Sequence, residues 1–229
     1  MPASHILLVG FVRAPKEKVS GKTIKSWLSA LKAWHDTSHA PWHGDDHWVQ
    51  MAHITANKEG TAFQKCQHAP VTIEHMSSLQ KHLKLTDPLH TVLWATACVA
   101  FWGCRCLGEL TVKLLRNSDK DYNVLHSATI RHKTHQDGSS SASIPLPWTK
   151  TTKEEGGTAV LDAHDNDLCP VAALNNHLFI NSNVPADAPL FTPETPDCGW
   201  SMMPKHQFMD ECRQIWSWEG LQLVDGHSF

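Results

Sequence analysis

Tyrosine is nearly missing from this chain. One residue, Tyr122, stands among 229, against ten tryptophans, so any reaction that needs a phenolic hydroxyl has a single candidate for it. Long apolar runs are also missing. The longest, Val92 to Cys104, is broken only by Thr96 and Gly103 and falls short of the roughly 18 residues that span a bilayer. The early run "HILLVGF" is shorter still and has no small-residue cleavage site after it, which predicts neither a secretory signal nor a membrane anchor. The seven cysteines, Cys66, Cys98, Cys104, Cys106, Cys169, Cys198 and Cys212, are odd in number and follow no framework spacing. That excludes a disulfide scaffold and predicts reduced, buried thiols in an intracellular protein. Glycine-rich phosphate loops, G-x-S-x-G elbows and H-E-x-x-H are absent, so nucleotide hydrolysis, serine-hydrolase chemistry and zinc proteolysis have no motif to stand on.

What is present is an uneven charge. The chain as a whole carries a net charge of −3. From Met1 to His35 there are six basic residues, Arg13, Lys16, Lys18, Lys22, Lys25 and Lys32, against Glu17 alone. Residues 70 to 229 reverse this, with 12 basic and 18 acidic side chains. A basic segment joined to an acidic body fits a nucleic-acid-reading arm as well as a solvated lysine-rich helix.

Periodicity divides the chain near Pro70. In "SGKTIKSWLSALKAWHDTS", Ser20 caps an amphipathic helix whose apolar positions are Ile24, Trp27, Leu28, Leu31 and Trp34. Pro41 and Gly44 break it, and a second helix starts after Asp45 or Asp46 and runs through Trp48, Met51 and Ile54. "TAFQKCQHAP" reads as a linker. Thr72 then caps a helix bearing Ile73, Met76, Leu79 and Leu83, and Asp87 caps a helix that opens with Pro88 and is apolar nearly all round, as a central buried helix is. "NVLHSATIRHK", "SASIPLPWTK" and "TAVLDA" have β-branched, alternating character and predict about three antiparallel strands. Helical pattern returns at "CPVAALNNHLFINS" and "MPKHQFMDECRQIWSWEG". The fold class is therefore mainly α with a small antiparallel β-sheet (α+β), in two domains, 1–69 and 70–229.

Several polar residues sit oddly in this frame. Arg105 lies in "FWGCRCLGEL", directly after the buried helix, and a guanidinium costs several kcal/mol to desolvate without partners. Glu109 follows it, Lys150 and Lys153 lie in the strand-end turn "PWTKTTKEEGG", and His227 lies in "DGHSF". His35, His39, His43 and His47 recur every four residues, but Pro41 and Gly44 interrupt the helix that would align them as metal ligands. No metal or cofactor is assigned on that basis, and a His-rich metal-binding structural protein is the least favoured reading.

In this order and context, Arg105, Glu109-Leu110, Lys150 and His227 resemble the tyrosine recombinases, the DNA breaking and rejoining enzymes that include phage integrases. The nearest likeness is to recombinase-like proteins of fungal mobile elements. "LSALKAWH", "APW", "PVT", "FWG", "IPLPWTKTTKEEG", "CPVAALNNHL" and "GHSF" carry it over nearly the whole chain. The resemblance implies a helical, SAM-like core-binding DNA-clamp domain at 1–69 and a catalytic domain at 70–229. It implies Arg105 and His227 as donors to a scissile phosphate, with Glu109 orienting Arg105. Lys150, or in its place Lys153, is implied as the acid that protonates the leaving 5′-oxygen. Preorganised donors of this kind each contribute roughly 10²–10³ in rate. Lys18, Lys22, Thr23 and Lys25 become candidate phosphate contacts on double-stranded DNA, where they would give salt-dependent affinity without sequence choice.

The resemblance further implies no cofactor and no membrane partner, allows a homo-oligomer on DNA, and implies nuclear localisation from the DNA partner. It also shows a departure: the family's second arginine would fall at position 230, past Phe229, and its nucleophilic tyrosine later still. The expectation is a catalytic domain incomplete at its C-terminus that cannot cleave DNA as it stands. A non-catalytic DNA-binding or interaction remnant of a mobile element is the alternative.

Overall fold

The structure, a computed structural model, describes residues 2–15, 18–64, 69–113, 119–197 and 199–225. It is a mixed α+β protein, with eight α-helices and one three-stranded antiparallel sheet among the described residues. The chain divides into two compact units, Met1–Gln67 and His68–Phe229.

The first unit is helical: α1 (His5–Arg13), α2 (Gly21–Thr37) and α3 (His47–Glu59), followed by the 3-10 turn Gly60–Phe63. Short polar side chains start each helix by accepting an otherwise orphaned N–H: Ser4 from Leu7, Ser20 from Thr23 and Asp46 from Trp48. A small core of Val12, Ile24 and Ala52 joins the three helices. This differs from the predicted apolar stripes. Trp27 and Trp34 on α2, and Trp48, Met51 and Ile54 on α3, are 40–67% exposed, while α3 buries Val49 and Ala52 instead.

The second unit holds the larger core. α4 (Ile73–His82) opens with a capping box in which the Thr72 side chain accepts from the His75 N–H and the His75 imidazole accepts from the Thr72 N–H. α5 (Pro88–Trp102), capped by Asp87 and opened by Pro88, is buried without a break from Thr91 to Ala100. Trp94 on α5, Phe191, Phe208 and Trp216 are the largest fully buried side chains among the described residues of the unit. Burial of each contributes on the order of 1.5–3 kcal/mol.

A short helix, α6 (Leu107–Leu110), leads toward the sheet, whose strands β1 (Arg131–Thr134), β2 (Ser140–Leu146) and β3 (Gly157–Asp162) pair in sequence order. Ala142, Ile144 and Leu146 alternate inward along β2, opposite Leu161, Ala159 and Gly157. Pro145 is accommodated in this central strand because β1 pairs only as far as Ser143, which leaves that side of β2 open beyond it. The stretch 123–130, predicted to be strand, is irregular apart from one bridge between Leu125 and Pro189. α7 (Pro170–Ile180) and α8 (Lys205–Trp218) complete the unit.

Of the cysteines, Cys98, Cys169 and Cys212 are buried, but Cys104 and Cys106 are exposed, which corrects the expectation of a uniformly buried set. Both lie in the corner that ends α5 rather than in its interior. Cys66 and Cys198 lie outside the described residues.

Candidate functional site

Arg105 owes its position to the way α5 stops. Gly103 is the C-cap, Cys104 adopts the left-handed conformation at φ 50°, and the Arg105 N–H then reaches back to the Ala100 carbonyl at 3.0 Å. That six-to-one bond is the mark of a Schellman ending, here with cysteine where glycine is usual. A Cβ on Gly103 would lie 2.5 Å from the Val99 carbonyl oxygen and 3.3 Å from the Leu161 side chain, so the corner sits tight against β3. The half-buried Arg105 side chain donates from Nε to the Gly103 carbonyl at 2.8 Å. Its Nη1 and Nη2 make no hydrogen bond or ion pair among the described residues. One edge of the guanidinium is thus fixed by the backbone, and the other edge is available to an anion.

Glu109 departs from its expected role. It is 7% exposed, and Oε1 accepts from the backbone N–H of Lys150 at 3.0 Å. No ion pair joins it to Arg105 among the described residues, because its carboxylate is turned to the β2–β3 turn. Glu109 therefore ties the arginine corner to the lysine turn.

That turn, residues 149–156, is also braced from within. Thr149 and Lys153 exchange backbone bonds at 3.0 and 3.3 Å, the Thr152 N–H donates to Thr149 Oγ1 at 3.0 Å, and Thr152 Oγ1 donates to the Gly156 carbonyl. Lys153 takes φ 55° and Gly156 φ 66° to close it. Lys150 is exposed, and its Nζ has no partner among the described residues. Lys153 is different: its Nζ lies 5.1 Å from the centre of the Trp148 ring. Trp148 packs on Tyr122 at 5.4 Å, and Lys113 Nζ lies 5.5 Å from the Tyr122 ring on the same aromatic pair.

His227 lies outside the described residues. The segment leading toward it is anchored, since the Gln222 carbonyl contacts His75 Nε2 at 2.9 Å and the Val224 carbonyl accepts from Arg213 Nε at 3.3 Å. Of the sequence-predicted set, Glu109 and Lys150 are joined by a hydrogen bond, Lys153 lies in the same turn as Lys150, and Arg105 lies four residues before Glu109 in the corner after α5. Nothing in the local sequence places Trp148 and Tyr122 together beside the lysine turn. Their contact is a tertiary property with no local signal.

In the first unit Lys18, Lys22 and Lys25 are exposed, and Thr23 is half-buried with Oγ1 3.0 Å from Ser20 Oγ at the start of α2. Lys22, Lys25, Ser29 and Lys32 follow one another at spacings of three, four and three, one stripe along the helix. Lys32 thus extends the basic face by two turns. His35 is buried, its Nδ1 donating to the Leu31 carbonyl at 2.8 Å and its Nε2 accepting from the Ala3 N–H at 3.0 Å. Both ring nitrogens are used, which removes it from any metal set with His39, His43 and His47. Among the described residues no group of three or more candidate ligands is placed to hold a metal, and no helix is long and apolar enough to cross a membrane. No known family model matches the chain, and no curated protein sequence matches it significantly.

Proposed function

We propose that this chain is a DNA-binding protein of the tyrosine-recombinase type, with a helical DNA-clamp domain at 1–69 and a catalytic-type domain at 70–229. The observation that carries the reading is the hydrogen bond from the Lys150 N–H to Glu109, which joins two of the implied site residues across 41 positions of chain. Arg105 and Lys150 then offer a guanidinium edge and an ammonium with no partner among the described residues, the donor types that a phosphodiester oxyanion requires. In this reading Arg105 and Lys150 hold the positions that, in the recombinases the chain resembles, stabilise the charge on the non-bridging oxygens and protonate the leaving 5′-oxygen. Lys153 is the weaker candidate for the acid because its ammonium rests on Trp148. Lys18, Lys22, Thr23 and Lys25 supply sequence-independent phosphate contacts on duplex DNA, on which copies of the chain could assemble as a homo-oligomer in the nucleus.

DNA binding without strand cleavage is the second reading. It is favoured by the engagement of Tyr122, the chain's single tyrosine, whose ring is packed against Trp148 with a lysine over it.

Titration with duplex DNA at two salt concentrations tests the proposal. Phosphate contacts from Lys18, Lys22 and Lys25 predict an about fortyfold loss of affinity between about 50 and 200 mM salt, and replacing Lys22 and Lys25 by alanine lowers the log–log slope by about two. Affinity that ignores salt, or is unchanged in the double variant, overturns the clamp assignment. A nicked suicide duplex is expected to leave no covalent adduct, and an adduct on Tyr122 would exclude the second reading.

A further inference from the structure

The first unit contains a cleft of about 210 Å³ between α2 and the start of α3. One wall is the α2 stripe Lys25, Ser29 and Lys32, and the other is Gln50 and His53, with Trp42 closing one end. Each part is held in place. Gln50 Nε2 donates to the Gly44 carbonyl at 2.8 Å, which pins the 42–45 loop to α3, and His53 Nε2 lies 3.3 Å from the Gly21 carbonyl, tying α3 to the first turn of α2. Gly44 approaches the Trp42 indole so closely that a Cβ there would lie 2.0 Å from Cζ2. Trp42 also meets His35 edge to face at 5.2 Å, so the indole is fixed from two sides, and Lys32 Nζ stands 6.0 Å from its ring centre.

The chemistry of these walls is specific in kind. A half-buried indole offers a planar face, and two ammonium groups two helical turns apart flank a hydroxyl on the same side. Among the described residues the only carboxylate on the wall is Asp45. Asp36 contacts Lys32 at 3.7 Å, but both side chains are at least half exposed, and such pairs contribute about 0–1 kcal/mol, too little to keep Lys32 from a better anion. The volume lies below the roughly 300–1,000 Å³ of pockets for drug-sized ligands, so one small unit fits and a dinucleotide cofactor does not.

We propose that this cleft binds a single nucleotide unit, with its base against Trp42 and its phosphate between Lys25 and Lys32. A nucleotide combines a planar ring with an adjacent anion, which neither inorganic phosphate nor an uncharged aromatic provides. The unit comes either from a free nucleoside monophosphate or from an unpaired residue of a single strand. The cleft shares Lys25 with the candidate duplex contacts and takes Ser29 and Lys32 from the same α2 stripe, but it uses neither Lys18, Lys22 nor any residue of the Arg105 site.

The test follows the Trp42 indole N–H by two-dimensional NMR in the full chain, assigned with Trp42→Phe. Probes are thymidine monophosphate, adenosine monophosphate, an eight-nucleotide single strand, thymidine and inorganic phosphate. Binding by a monophosphate identifies the free nucleotide as ligand, and binding by the oligonucleotide alone identifies a residue of a single strand. Either supports the proposal provided that thymidine and phosphate each bind at least about tenfold more weakly, the loss expected when stacking or the charged contact is missing. The exposed substitutions Lys25→Ala and Lys32→Ala are each expected to weaken binding about fivefold without unfolding the unit. Gly44→Ala, which moves the indole and leaves both lysines, is expected to weaken it about tenfold.

No shift of Trp42 with any nucleotide overturns the proposal. So does equal binding of inorganic phosphate, or affinity that ignores both lysine substitutions. Duplex affinity is read separately through Lys18→Ala and Lys22→Ala, so failure of the recombinase reading leaves the nucleotide cleft standing, and the reverse.

Discussion

Lys150 donates its backbone N–H to Glu109 Oε1 at 3.0 Å, and Glu109 is all but closed to solvent. A carboxylate spent on a backbone amide is a positional device, since it fixes where the turn begins and leaves the Lys150 ammonium free to point outward. Glu109→Ala removes the acceptor and strands a shielded N–H, which costs about 1–3 kcal/mol, whereas Glu109→Gln keeps an oxygen there and costs less. Urea unfolding of the two variants checks the order. Hydrogen exchange at the Lys150 amide is expected to quicken in Glu109→Ala while the α5 amides are unchanged.

Gly156 closes the same turn from its other end. It takes φ +66°, and a Cβ there would lie 2.2 Å from the Leu146 carbonyl oxygen. Gly156→Ala therefore meets both left-handed strain and a backbone collision, a destabilisation of more than about 2 kcal/mol. Thermal unfolding measures the loss. Since Thr152 Oγ1 donates to the Gly156 carbonyl, the amides of Thr149 and Lys153 are expected to lose protection with it.

The helix starts were open to reading because a cap is local. Ser20, Asp46, Thr72 and Asp87 each accept an N–H two or three residues on, and short polar side chains before an apolar period announce this. The faces of α2 and α3 were not open in the same way. Period shows which residues share a stripe, but Trp48, Met51 and Ile54 remain exposed because α1 and α2 meet α3 along Val49 and Ala52. Residues 123–130 carry strand-forming side chains without a neighbouring strand, and β-propensity without a partner does not make a ladder.

In the candidate site, Arg105 stood out as a charge after a buried helix, yet the partner of Glu109 did not. Spacing within one segment pointed Glu109 at Arg105, whereas its hydrogen bond lies on a turn that only tertiary packing brings near. The Lys113–Tyr122–Trp148–Lys153 group is the same kind of case, assembled from three separate segments.

Thiol reactivity follows from where α5 ends. Cys104 and Cys106 are exposed on either side of Arg105, while Cys98, Cys169 and Cys212 are buried. Burial raises the Cys98 and Cys212 thiols well above their ordinary range, which suppresses the reactive thiolate. Iodoacetamide at neutral pH is expected to label Cys104 and Cys106 fully before any of those three, as peptide mass mapping will show. Early labelling of Cys98 would mean that α5 is not closed off in solution.

Acid sensitivity centres on His177, which is fully buried with Nε2 donating to the Leu190 carbonyl at 2.8 Å and Nδ1 accepting from Asn181 Nδ2 at 3.0 Å. Burial lowers its pKa to about 4, against the smaller opposing pull of the Leu190 bond. In the unfolded chain the same imidazole titrates near 6.5. Between those values the unfolded state binds the extra proton, so this group's stabilisation is complete above pH 6.5, declines as pH falls, and has no further slope below about 4. The total is on the order of 3 kcal/mol. His126, whose ring centre lies 6.4 Å away, is lowered by burial as well and adds to the same slope. His177→Phe preserves the stacking on Phe191 but removes the titrating group, so the variant is less stable at pH 7 yet shows a flatter decline from pH 6.5 to 4. Urea unfolding across that range compares the two curves, and parallel slopes would remove His177 as the source.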